Sequence, residues 1–120
     1  MGDQIRGLCA EDDAVLVAAL RLAADGPLFP DWEFQTLFGV ERYTVRQVAD
    51  AWPDVDVASE GVAAAVLNSL NNIVGYPHGN DEFVEQTLGV DMPFLYGLCR
   101  KAAAVIEGQT PAGDYFGRLR

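Results

Sequence analysis

Cys9, Cys99 and His78 are the only cysteines and the only histidine of the chain. Nucleophilic catalysis needs a nucleophile, a base and a group that orients the base. These three residues can fill two of those roles at most. Cys99 falls on the apolar stripe of a helical stretch, where a thiol stays protonated and inert. The cysteines stand 90 positions apart, with no C-x-x-C and a lone histidine, so a zinc site lacks its usual donors. Carboxylates cluster at Glu11/Asp12/Asp13 and at Asp54/Asp56, in stretches that read as exposed and unshielded, a poor setting for general acid–base work. Neither a glycine-rich phosphate loop nor a His-Glu metal spacing is present. These absences predict no catalytic residue, no metal and no cofactor. A small enzyme built around His78 is the remaining catalytic alternative. The two cysteines are expected to be free, buried and structural.

The charge points elsewhere. The net charge is −10 over 120 residues, with a sequence pI of about 4.2. Residues 1–60 carry twelve acidic side chains against four basic, and residues 61–120 carry six against four. Such a surface repels phosphate and speeds encounters with basic partners. The expected partner is therefore a basic protein, with no nucleic acid and no membrane. No apolar run approaches the roughly 20 residues of a membrane span. The N-terminus lacks a basic region followed by an apolar stretch, so a cytoplasmic location is expected.

The elements that must position these residues are helical. A chain of this length makes one domain. The stretch Asp31–Pro53 organises it. Asp31 is a candidate N-cap. Phe34, Leu37 and Phe38 follow on one face. Gly39 ends that helix, Val45, Val48, Ala49 and Trp52 define a second, and Pro53 stops it. A lead-in helix starts at Glu11–Asp13 and runs to about Asp25, where Gly26 and Pro27 end it. The DVDVASE stretch after Pro53 reads as a loop. Ser59 caps a helix carrying Val62, Val66, Leu70, Ile73 and Val74. Asn68, Asn71 and Asn72 cluster near its end and predict side-chain hydrogen bonds to a neighbouring loop or to a ligand. Asn80 caps a short helix, Asp91 a long one that Gly108 stops. The prediction is an all-α single domain over 1–108, a bundle of five or six helices, followed by a tail over 109–120. There is also an internal echo. Glu33-Phe34 and Leu37–Glu41 recur as Glu82-Phe83 and Thr87–Asp91, with spacing that differs by one residue. A duplicated hairpin and convergence on a glycine corner both explain it.

Three resemblances follow from these residues. Leu37, Gly39, Val40, Thr44, Val45 and Val48 resemble the helix-turn-helix of bacterial DNA-binding proteins. That resemblance implies a second helix that presents Arg42, Thr44, Arg46 and Gln47 to DNA. The family's small residue in the first helix is replaced by Gln35. The strings WEFxTLFG at 32–39, AWPD at 51–54 and LNNxxGYPHG at 70–79 resemble a family of small uncharacterised acidic bacterial proteins. In size, acidity and helical make-up the chain resembles immunity proteins that neutralise basic toxins. This last resemblance implies a plug, in which an acidic, aromatic-studded face covers a basic cleft. The residues expected to form that face are Trp52, Tyr76 and His78 as anchors, Asp54, Asp56 and Glu60 as the charge complement, and Asn72 beside them. A core position for Trp52 is the competing expectation, since it lies on the Val45–Val48 stripe.

Overall fold

Leu16, Ala19, Leu20 and Ala23 recur at three- and four-residue steps, and all four are completely buried. The same spacing recurs in each long helix, and apolar faces of this kind must cover one another. A computed structural model describes residues 8–76 and 78–109. Among them are six α-helices and no strand: α1 Ala10–Asp25, α2 Asp31–Phe38, α3 Arg42–Ala51, α4 Glu60–Gly75, α5 Asp81–Leu88 and α6 Met92–Gln109. They form the expected all-α single-domain bundle. The tail beyond Gln109 lies outside the described residues.

The helices fall into two units of three. Glu60 stands 50 residues after Ala10, Asp81 50 after Asp31, and Met92 50 after Arg42, so every helix of the second unit begins 50 residues after its counterpart. Burial follows the same register. Phe34, Phe38, Val45 and Val48 are buried in the first unit, and Val84, Leu88, Leu95 and Leu98 in the second. The caps match as well. Gly39 and Gly89 both end their short helices in the left-handed conformation, at φ +74° and +73°, which costs glycine nothing. The echo in the sequence is therefore real but longer than one hairpin, and its register is set by the glycines. Glu33 corresponds to Phe83 and Phe34 to Val84, one residue away from the pairing that the Glu-Phe dipeptides suggest.

The units interlock. In each, the first long helix packs on its own third helix, α1 on α3 and α4 on α6. Each short helix reaches across, α2 onto α4 and α5 onto α1. One continuous core results, with Leu16, Leu20, Phe38, Leu67, Leu70, Ile73, Leu95 and Ile106 at its centre.

Several local expectations change. Pro30, not Asp31, is the residue before α2, and Asp31 is the first helical residue. Its carboxylate pairs with Arg42 instead of capping. Ser59 does cap α4, its hydroxyl accepting from the Val62 N–H at 3.5 Å. Asp91 caps α6 through the Phe94 N–H at 3.0 Å. Asn80 precedes α5 but turns its amide back to the His78 carbonyl. Gly108 does not stop α6, which runs on to Gln109. A single glycine costs an exposed helix about 1 kcal/mol, too little to end one already packed along its length. Both cysteines are free, as expected, but Cys9 is exposed and Cys99 half-buried. Cys9 lies outside the apolar stripe, at the cap position ahead of α1.

Candidate functional site

The expected anchor Trp52 lies in the core. It ends α3, is only 9% exposed, and its indole Nε1 donates to Asp13 Oδ1 at 2.9 Å. Position on the Val45–Val48 stripe decided this, because the stripe faces α1 and α4. Trp52 is therefore a joint between α3 and the start of α1, and no partner can reach it as an anchor. Asp54, Asp56 and Glu60 are exposed, as expected of that loop. Asp56 closes a local turn by accepting from the Ala58 N–H at 3.1 Å.

Tyr76 and His78 stand at the other end of the molecule's central helix. α4 has 16 residues, about 24 Å at 1.5 Å per residue. Asp56 and Glu60 flank its start, while Tyr76 and His78 follow its end. The residues expected to form one face thus occupy two separate sites. Asn72 belongs to neither. Its amide donates to the Leu37 carbonyl at 3.1 Å and to the Asn68 carbonyl at 2.8 Å. Asn68 donates to the Phe38 carbonyl at 2.7 Å. Of the two expectations for these asparagines, hydrogen bonding to a neighbouring element is the one observed. They satisfy the last carbonyls of α2, which no intrahelical donor reaches. Asn71 is exposed.

At the far end, the Tyr76 hydroxyl donates to Glu33 Oε1 at 2.6 Å. That hydrogen bond, with burial beside it, raises the phenol above its ordinary pKa of 10.0. His78 is held on both sides. Its Nδ1 accepts from the Asn80 N–H at 2.9 Å, so the proton sits on Nε2, 2.8 Å from the Ile73 carbonyl. The Phe29 ring meets Tyr76 and His78 edge-on at 5.3 and 6.2 Å. Beside them runs an open groove of about 560 Å³, lined by Val74, Gly75, Tyr76, Gly79, Asp81 and Glu82.

The basic residues tell a matching story. Arg42, expected to reach DNA, points inward and is 20% exposed. Its Nη1 donates to the carbonyls of Ala24 at 2.8 Å and Ala23 at 3.5 Å, and its Nη2 to that of Phe29 at 2.6 Å. Its Nε donates to Asp31 Oδ1 at 3.0 Å, and the guanidinium lies 4.4 Å over the Phe34 ring. The side chain thus neutralises the negative end of α1 and locks α2 and α3 to it. Arg46 is paired with Asp25, and Arg21 with Asp50 at 2.9 Å. Lys101 of α6 reaches Asp12 at the start of α1 at 3.2 Å. Burial works to raise the Asp12 carboxyl, but the Cys9 N–H and Lys101 outweigh it and hold the carboxyl below its ordinary value.

Catalytic equipment is scarce among the described residues. Burial pushes the Cys99 thiol up to about 11. No group of three or more histidine, cysteine or acidic side chains is arranged to hold a metal ion. Among the described residues no helix is long and apolar enough to cross a membrane.

One surface residue that sequence reasoning passed over is Trp32. It is 80% exposed on α2, between the acids Asp31 and Glu33. The signal was available: Trp32 lies off the Phe34–Phe38 stripe, and a tryptophan off the apolar face of a short helix has no core to enter. Comparison of the chain with known protein families, curated proteins and solved structures finds no match.

Proposed function

We propose that this chain is a non-enzymatic binding protein that covers a basic surface of another protein, in the manner of an immunity protein neutralising a basic toxin. The observation that carries the reading is where the cations go. Of the five basic side chains among the described residues, Arg21, Arg42, Arg46 and Lys101 are each paired with a carboxylate of the chain itself. Glu11, Glu41, Asp54, Asp81 and Glu82 stay exposed with no basic partner among the described residues. Negative potential is thereby left over the surface without local compensation. It favours a basic partner and steers its approach. The commitment of Arg42 and Arg46 within the fold removes the cations that a helix-turn-helix regulator would present to phosphate.

An exposed aromatic flanked by acids, as at Trp32, suits the centre of such an interface. The test is protection and kinetics. Co-expression should rescue cells from a basic toxin domain encoded beside this chain's own gene, and the purified pair should associate faster as salt falls. Neutralising Asp54 and Asp56 together to Asn should slow association several-fold at low salt without lowering the melting temperature. Trp32→Ala should speed dissociation by about tenfold or more. An unrescued cell, or an association rate indifferent to salt, rules the reading out.

A further inference from the structure

In the first unit, one corner of the fold holds a guanidinium. The carbonyls of Ala23 and Ala24 at the end of α1, the carbonyl of Phe29 and the carboxylate of Asp31 surround Arg42. Fifty residues on, the same corner is built again. Ile73 and Val74 end α4 where Ala23 and Ala24 end α1. Gly79 takes the place of Phe29, and Asp81 that of Asp31. The position of Arg42 is taken by Met92, which has no donor to offer. Both corners carry an open groove: the first, about 450 Å³, is lined by Arg42 and Arg46, whereas the second, about 560 Å³, is lined by no cation and carries the carboxylates of Asp81 and Glu82.

We infer that the groove formed by Val74, Gly75, Tyr76, Gly79, Asp81 and Glu82 is a receptor for an arginine side chain of a basic protein partner. The inference rests on the basic-partner reading and says where that partner inserts its anchor. Three features support it. The negative end of the α4 dipole faces the groove, as that of α1 faces Arg42. The Ile73 carbonyl is taken by His78 Nε2 at 2.8 Å, but among the described residues the Val74 carbonyl is met by the Tyr96 hydroxyl at 3.5 Å, the outer limit of a hydrogen bond, whereas its counterpart Ala24 holds Arg42 at 2.8 Å. Tyr76 lines the groove as its aromatic residue, whereas in the first unit the ring beneath the guanidinium is Phe34, whose counterpart is Val84. Arginine fits better than lysine because its planar fork can meet a carboxylate and backbone carbonyls together.

The experiment uses the full chain, isotopically labelled, titrated with an acetylated, amidated hexapeptide of alternating arginine and glycine. The lysine analogue and sodium chloride at matched ionic strength are the controls. Amide shifts should concentrate at Gly75, Gly79, Asp81 and Glu82, and arginine should bind at least fivefold tighter than lysine. Changing Asp81→Asn and Glu82→Gln together should weaken arginine binding about tenfold. Met92→Arg is the second variant. It should place a guanidinium in the corner from within, raise the melting temperature, and abolish binding of the arginine peptide. Shifts spread evenly over Glu11, Asp54 and Asp56, equal binding of the lysine peptide, or a Met92→Arg protein that still binds would each overturn the inference. If the peptide fails but a basic protein still associates through the Asp54/Asp56 end, the groove assignment falls and the basic-partner reading stands. If the peptide binds the groove while no basic protein associates, the receptor stands and the toxin-neutralising reading falls.

Discussion

The two units share a backbone plan and differ in how their corners are fastened. In the first, α2 and α3 are tied from both sides. Arg42 bonds them to the end of α1, and Asn68 and Asn72 of α4 accept the role of cap for the last carbonyls of α2. In the second, the counterpart of Arg42 is Met92, and the counterparts of Asn68 and Asn72 are Ala18 and Leu22. The end of α4 is met instead by His78 and, at longer range, by Tyr96. The last carbonyls of α5 have no equivalent amides on α1. Equal helices and similar apolar burial thus give two corners, each beside a surface groove, one lined by guanidinium groups and the other by carboxylates without a cation. The lesson is that hydrophobic spacing sets where helices lie, while a few polar side chains decide how the junctions between them are fastened.

The largest effect should come from making the first corner resemble the second. Arg42→Met should leave three backbone carbonyls and Asp31 without their donor. Loss of a partly buried, multiply bonded guanidinium should cost about 3 kcal/mol in urea denaturation. Met92→Ala, at the equivalent position of the second unit, should cost about 1 kcal/mol, because a half-buried side chain with no polar partner loses only packing. Equal losses at 42 and 92 would break the comparison.

Next in size is the cap on α2. Changing Asn68→Ala and Asn72→Leu together installs the residues of the first unit's long helix. It should cost about 2 kcal/mol, since each buried carbonyl left unpaired costs about 1 kcal/mol or more. Amide exchange in α2 should accelerate toward that of α5, which should already be the faster of the two in the unaltered protein. An α2 that exchanges as fast as α5 before any change would remove the distinction between the corners.

Ser69 sharpens the comparison in the opposite direction. It is completely buried on α4 and its hydroxyl has no partner among the described residues, whereas its counterpart is Ala19. Ser69→Ala should stabilise the protein by about 1 kcal/mol, because an unpaired buried hydroxyl costs more than the lost atom contributes. A loss of stability on that change would show that the hydroxyl is bonded.

The smallest effect joins the units at pH below the carboxylate range. Asp12 is held below its usual pKa by the Cys9 N–H and Lys101. A lowered folded-state value contributes stability that is present above the ordinary value of 3.8 and is lost as pH falls through the folded value. Asp12→Asn should therefore flatten the fall of stability below about pH 4 while leaving the alkaline side unchanged. On that alkaline side Tyr76, with its raised pKa, contributes stability that is lost as pH climbs past 10.0 through its folded value. Tyr76→Phe should remove that loss.

Much of the fold was legible in the sequence, for local reasons. Helix faces follow from apolar spacing, the cap at Ser59 from its side-chain oxygen, and the corners at Gly39 and Gly89 from the cost of a Cβ at positive φ. The acidity that favours a basic partner is a property of composition alone. Tertiary structure decided the rest, because it depends on contacts between residues far apart in the chain. Arg42 reads as a surface cation until the end of α1 and the connection after it bring the carbonyls of Ala23, Ala24 and Phe29 within its reach. Trp52 reads as a candidate anchor until the start of α1 supplies Asp13 and the core encloses its ring. Asp54, Asp56, Tyr76 and His78 read as one face until the length of α4 sets them at opposite ends. Only a fragment of the fifty-residue repeat, around its two glycine corners, was legible, because elsewhere the units keep the burial of a position and change its residue. Burial is a fact of packing, and only the folded chain displays it.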